Sequence, residues 1–200
     1  MFAVVTDGTI TSFPKGNKGI TINDIQYPKA IYSLWTEAER NAIGIYTVEI
    51  NETNRKDETF YINTDITYAF GSGKVTGSYG TATAKAIADA NAKDENGDDL
   101  DPVIVIKGLK TQYKDNFNAQ AAGLLAPTDW YVVKATEVSD YTVPSAITTY
   151  RAAVRTKVNA IETAIDGCAN VAALITLLTY TLQEDGTTTR PLGEFPDEVI

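Results

Sequence analysis

The spacing of apolar residues changes along this 200-residue chain, and nothing else in the sequence limits its fold as strongly. In the first part, apolar positions alternate with polar ones or fall in short runs broken by turn residues, as in strands with one buried face. From Leu109 onward they recur every three or four residues, which lines them up on one side of a helix. Strands and helices segregated in this way define the α+β class. We therefore expect an antiparallel β-rich N-terminal domain with one short helix over residues 1–82, and an acidic linker over 83–102. A helical domain with antiparallel helices should occupy 103–182, followed by an extended tail over 183–200.

Local signals place the elements. Runs at 2–5 and 10–13 flank Thr6-Asp7-Gly8-Thr9, where Asp-Gly supplies the positive φ angles of a tight hairpin. Residues 19–25 alternate as a further strand. Thr36 with Glu39 three positions on is a capping-box pair, opening a short helix that Gly44 stops, with Arg40 placed to pair with a carboxylate. Strands follow at 45–50, 59–63, 66–70 and 74–79. The alanine-rich stretch 81–92 reads as a short helix. Further on, Leu109, Tyr113, Phe117, Ala121 and Leu124 mark an amphipathic helix that Pro127 ends, and Trp130-Tyr131-Val132-Val133 reads as a short extended run. Ser145 stands where it can cap a long helix striped by Ile147, Tyr150, Val154, Val158, Ile161 and Ile165, with Gly167 closing it. Val171, Leu174, Ile175 and Leu178 form a shorter stripe expected to return antiparallel to it. Residues 186–191 read as a loop, and 190–200 as an arm able to dock in extended form.

Chemistry is limited by what the sequence lacks. There is no histidine, which removes the commonest general base and the commonest transition-metal ligand together. No Ser-His-Asp or Cys-His arrangement can form within the chain. The single cysteine, Cys168, can make neither an intrachain disulfide nor a cysteine metal cluster, and reads as a small buried apolar residue. The run Gly71-Ser72-Gly73-Lys74-Val75-Thr76-Gly77-Ser78-Tyr79-Gly80 fails as a phosphate loop, because no Lys-Ser or Lys-Thr pair follows a four-residue gap; it reads as flexible β-turns. Counting from Asp94, an EF-hand needs glycine sixth and glutamate twelfth, but those places hold Asp99 and Val105, so 94–101 reads as a solvated acidic loop. No catalytic, cofactor-binding or metal-binding residues are therefore expected. With 26 acidic and 17 basic residues the formal charge is −9, which argues against nucleic acid as a partner. No apolar run approaches the roughly 18 residues of a membrane span. The start, Met-Phe-Ala-Val-Val-Thr-Asp-Gly, lacks the basic opening of a secretory signal, which leads us to expect synthesis in a cytoplasm.

Two runs carry a family resemblance. Tyr27-Pro28-Lys29-Ala30-Ile31-Tyr32-Ser33-Leu34-Trp35-Thr36-Glu37-Ala38-Glu39-Arg40-Asn41-Ala42-Ile43-Gly44-Ile45 resembles a segment of the tail-fibre and tail-fibre assembly proteins of tailed bacteriophages. There a Tyr-Pro or similar pair leads to a tryptophan or leucine and then to a Glu-Arg-x-Ala-x-Gly-Ile turn. Leu125-Ala126-Pro127-Thr128-Asp129-Trp130-Tyr131-Val132-Val133-Lys134-Ala135-Thr136-Glu137 is similar to the same proteins, as are Val143-Pro144 and Tyr150-Arg151-Ala152-Ala153-Val154-Arg155. The likeness covers about residues 25–50 and 107–182. It implies a non-enzymatic structural protein of the virion, made in the host cytoplasm, associated with the tail or its fibres, contacting other virion proteins and forming a homo-oligomer. An assembly chaperone absent from the mature particle is the alternative it implies. Trp35, Trp130 and Tyr131 are the candidate partner-binding residues, of the types that dominate binding hot spots. Core packing is the competing role for each tryptophan, and stacking on host glycans is a further one.

Overall fold

Asp7 and Gly8 carry φ angles of 51° and 75°, and this turn folds β1 (Phe2–Thr6) back on β2 (Thr9–Ser12) as the sequence leads one to expect. The computed structural model describes residues 1–199. It divides into two units, Met1–Thr83 and Ala84–Ile200, with most strands in the first and the long helices in the second, which is the α+β arrangement.

In the first unit a second tight turn sits where one strand was expected. Asn23 and Asp24 have φ of 49° and 63°, so the stretch splits into β3 (Ile20–Ile22) and β4 (Ile25–Tyr27). Asn and Asp enter the left-handed region at low cost, and this pair was not read as a turn. Two short helices follow where one was expected, α1 (Ile31–Leu34) and α2 (Glu37–Ala42). The capping box forms: the Glu39 amide donates to Thr36 Oγ1 at 3.3 Å, and the Thr36 amide donates to Glu39 Oε2 at 2.7 Å. Gly44 ends this segment at φ +83°, and a Cβ there would lie 2.7 Å from the Val5 carbonyl oxygen.

The remaining strands of the unit's sheet are β5 (Ile45–Asn51), β7 (Ile66–Gly71) and β8 (Lys74–Tyr79), with a two-residue β6 (Tyr61–Ile62) on the way. The sheet order is β2-β1-β5-β8-β7. Because β5 and β8 run parallel, the sheet is mixed rather than antiparallel throughout. The chain leaves β5, passes through β7 and returns by a hairpin, so β8 re-enters in the direction of β5. That hairpin turns at Ser72 and Gly73 (φ 53° and 73°), so 71–80 is an ordered ladder and not a set of flexible turns. Ala3, Val48 and Val75 are buried on one face under Val5, Ile10, Tyr46, Tyr68 and Phe70. Val4 and Ile45, cross-strand partners, are buried as well.

The second unit begins with extended chain. The helix expected at 81–92 is absent; the stretch holds β9 (Thr83–Ala84) and β10 (Ala90–Asn91), and β10 pairs with β11 (Val105–Ile106). Tertiary demand outweighs alanine's helix propensity here. The helix α3 (Leu109–Leu125) starts at Gly108 with no side-chain cap, so its first amides need acceptors. The segment before it supplies them: Leu109 and Lys110 amides donate to the Ala86 and Ile87 carbonyls at 3.0 Å each, and the Gly108 amide donates to Asp89 Oδ1 at 2.8 Å. The acidic stretch lies within this unit and is locally ordered, with Asp94 Oδ1 accepting from the Asn96 and Asp98 amides at 2.8 and 2.9 Å.

α3 is followed by a 3₁₀ turn (Ala126–Thr128), α4 (Asp129–Glu137), α5 (Ser145–Asp166) and α6 (Val171–Leu178). The expected extended run at 130–133 is therefore helix. A short apolar run does not reveal its own period, and Pro127 falls where a new helical turn can begin. Ser145 makes no capping bond, and Pro144 holds the cap position of α5. The stripe Ile147, Tyr150, Val154, Val158, Ile161 and Ile165 is buried throughout. α5 runs antiparallel to α3: Lys114 near the start of α3 reaches Asp166 at the end of α5 at 2.9 Å, while Tyr150 near the start of α5 donates to the Leu124 carbonyl at 3.2 Å. The hairpin of β12 (Thr181–Leu182) and β13 (Thr188–Thr189) leads into the arm. There Leu192 is buried, its carbonyl accepts from Lys157 Nζ at 2.6 Å, and Arg190 forms a two-point pair with Glu194 at 2.9 and 3.0 Å.

Candidate partner-binding site

Three aromatic residues were singled out, and the structure separates one from the other two. Trp35 belongs to the first unit, half-buried between α1 and α2, with its ring edge-on to Tyr27 at 5.8 Å. Among the described residues Arg40 beside it forms no ion pair with a carboxylate: its Nη1 donates to the Trp35 carbonyl, and its guanidinium lies 5.4 Å from the centre of the Phe2 ring. Trp35 thus contacts its local neighbours but is not among the buried core residues.

Trp130 and Tyr131 open α4 in the second unit. Their ring centroids are 3.8 Å apart, and Trp130 is 50% exposed. Lys134, one turn on, places its ammonium 5.7 Å from the Trp130 ring and 4.3 Å from that of Tyr141. None of the nine residues of α4 is buried, although Trp130, Tyr131, Val132, Val133 and Ala135 are apolar or aromatic. Helices in globular proteins are normally held by burying an apolar face, whereas this one leaves Trp130, Val132 and Val133 exposed and only half-buries Tyr131 and Ala135.

What holds α4 in place is an elbow built by Arg151. This residue is 7% exposed; its Nη1 donates to the Leu125 carbonyl at 3.0 Å and to Thr128 Oγ1 at 2.6 Å, and it forms an ion pair with Asp129 Oδ1 at 2.8 Å. Thr128 Oγ1 in turn donates to the Leu125 carbonyl at 2.7 Å. The end of α3 and the start of α4 are therefore clasped by one buried guanidinium, which aims the Trp130-Tyr131 pair outward. Thr128, which reads with Asp129 as able to hold a turn through side-chain hydrogen bonds to the backbone, does so at Leu125, whereas Arg151 reads in the sequence only as part of the start of the long helix and not as a site-building residue. The one available signal was a basic residue next to Tyr150 on the buried stripe of α5.

Beneath the pair lies a cavity of about 380 Å³, walled by Leu124, Pro127, Tyr150 and the two aromatics, with Glu198 at its rim. Burial, and then the Glu198 charge, push the Tyr150 phenol above its ordinary value, so it stays protonated and serves as a donor to Leu124. The arrangement offers apolar walls, aromatic faces and one carboxylate, which suits binding an apolar or aromatic side chain. Among the described residues no group of three or more acidic or cysteine side chains is disposed to hold a metal ion, and no helix is long and apolar enough to cross a membrane. No family model, curated protein or solved structure matches the chain.

Proposed function

We propose that this chain is a non-enzymatic structural protein of a tailed-phage virion, an adaptor that joins the tail or its fibres to other virion proteins. The observation that carries the binding role is α4, a helix with no buried residue that presents Trp130, Tyr131 and Val133 from a rigid elbow. Aromatic side chains on a fixed support, beside an apolar cavity, are the composition of a protein-binding hot spot. The phage setting rests on the two sequence runs that resemble tail-fibre and fibre-assembly proteins. One of them, residues 125–137, is the elbow and α4 themselves. Other virion proteins are the partners of this reading, and copies of the chain repeated by the symmetry of the tail multiply individually weak contacts.

The test is quantitative mass spectrometry of purified mature particles against the major capsid and fibre proteins. A symmetry-compatible copy number is the expected result. Abundance in infected cells with absence from particles would overturn the virion assignment and favour an assembly chaperone working through the same exposed helix.

A further inference from the structure

We propose that the cavity under Trp130 and Tyr131 takes a basic side chain of the partner, arginine ahead of lysine, with Glu198 as the counter-charge. The proposal deepens the binding role given above to α4 and rests on it.

The walls alone would take any apolar side chain, and the charges narrow the choice. Among the described residues around this cavity of about 380 Å³, Glu198 is the only charged one. The adjoining cavity of about 440 Å³ shares Tyr150 and Val199 with it and again holds one charged residue, Asp197. Neither cavity is lined by a lysine or arginine among the described residues. Arg151, behind Thr128, is already paired with Asp129. Glu194, a few residues earlier on the arm, is held at two points by Arg190. By contrast, neither Asp197 nor Glu198 forms an ion pair among the described residues. The Tyr150 hydroxyl does not answer Glu198 either, because it donates to the Leu124 carbonyl at 3.2 Å. Yet the carboxylate stands close enough that its charge, after burial, raises the Tyr150 phenol.

Any occupant must strip water from Glu198. An apolar side chain would do so with nothing in return, and a charge left unpaired and partly desolvated is costly. An acidic side chain would add repulsion. A basic one supplies the missing partner, and its methylene stem covers the apolar wall of Leu124, Pro127 and Val199. The aromatic residues favour the same choice, since ring faces attract cations. The chain already shows this pairing within α4: the Lys134 ammonium lies 5.7 Å from the Trp130 ring and 4.3 Å from that of Tyr141. Arginine ranks above lysine because its planar guanidinium can stack on a ring and present two parallel donors to a carboxylate. A net charge of −9 draws a basic segment toward the chain as a whole, and Glu198 with Asp197 fixes where it settles.

The experiment follows the indole N–H resonances of the isotopically labelled full chain, which has two tryptophans. The probes are N-acetyl-arginine amide and N-acetyl-norleucine amide, the second offering an aliphatic stem without the charge. Trp130→Phe assigns the signals, and Trp35, in the other unit, is the internal control. Arginine should move the Trp130 signal with a dissociation constant about tenfold below that of norleucine, while Trp35 stays still. The exposed Glu198→Gln should bring the two probes to within about threefold of each other. Norleucine binding as tightly as arginine overturns the proposal, and so does an arginine preference undiminished in Glu198→Gln. Either of those results leaves α4 standing as a docking surface, whereas a Trp130 signal that moves with neither probe removes the binding role together with the inference.

Discussion

Replacing Arg151 by methionine tests whether the elbow is held by one buried guanidinium. The substitution removes donors to the part-buried Leu125 carbonyl and the buried Thr128 Oγ1, and an ion pair with Asp129, whose side chain is 60% exposed. Hydrogen bonds from a charged donor contribute about 1.5–3 kcal/mol each. The exposed Asp129 contact adds at most about 1 kcal/mol. Methionine keeps most of the packing volume and relieves the desolvation of a buried charge, which offsets part of the loss. Thr128 still donates to Leu125, so that carbonyl keeps a partner. The net destabilisation is about 3 kcal/mol. For the unit Ala84–Ile200, with an unfolding entropy of about 0.25 kcal/mol per kelvin, this lowers Tm by about 12 °C. Melting followed by near-ultraviolet circular dichroism reads it, because Trp130 reports on the elbow itself. Asp129→Asn should shift Tm by no more than about 4 °C. An Arg151→Met protein melting within about 3 °C of the parent would refute the clasp. So would an Asp129→Asn loss as large as that of Arg151→Met, since the exposed pair would then carry the stability.

Other perturbations have equally definite outcomes. Trp130→Ala should leave Tm nearly unchanged, since the ring is half exposed, yet weaken partner binding by at least about 2 kcal/mol, seen as poor incorporation into particles in competition with the parent. Gly108→Ala should destabilise the second unit by about 3 kcal/mol in urea unfolding, because a Cβ there would stand 2.3 Å from the Ala88 carbonyl group; a neutral substitution would mean that the 86–89 segment does not press on the helix start. Thr36→Ala should cost the first unit about 1 kcal/mol through loss of the cap, with thermal melting as the readout. The backbone amides of Asp98 and Asn96 hold the Asp94 carboxyl below its ordinary 3.8. A depressed value in the folded state means that its contribution is in place above pH 3.8 and fades only as pH falls through the lower folded value, so the Asn96 and Asp98 amide resonances should move below pH 3.8 and not above it.

Elements that depend on nearby residues were legible, and those that depend on distant ones were not. The first hairpin, the Thr36–Glu39 box and the α5 stripe follow from residues within a few positions of one another, and all three form. The chain at 81–92 has the composition of a helix but serves as acceptor for amides some twenty residues further on, a demand that no local window contains. α4 differs from the extended run expected there because its own four-residue apolar run fits either period, and the Arg151 clasp on the chain just before it comes from another helix. Of the three aromatics, Trp130 and Tyr131 come together because they are neighbours in sequence. That Trp35 stands apart in another unit is a fact of tertiary structure. The cavity wall at Tyr150 was hidden because its residue reads as core, and it is core and wall at once.

The carbonyls of Ala86 and Ile87 close the start of α3, so the unit that can be moved, truncated or fused intact begins upstream of them. A fragment cut at Pro102, where the composition suggests a seam, would expose bare amides at the head of its first long helix and fray from that end. A cut near Thr83 carries the lid along with the helix. For anyone grafting the aromatic elbow onto another scaffold, those few extended residues belong to the cargo, although they lie far from the surface being displayed.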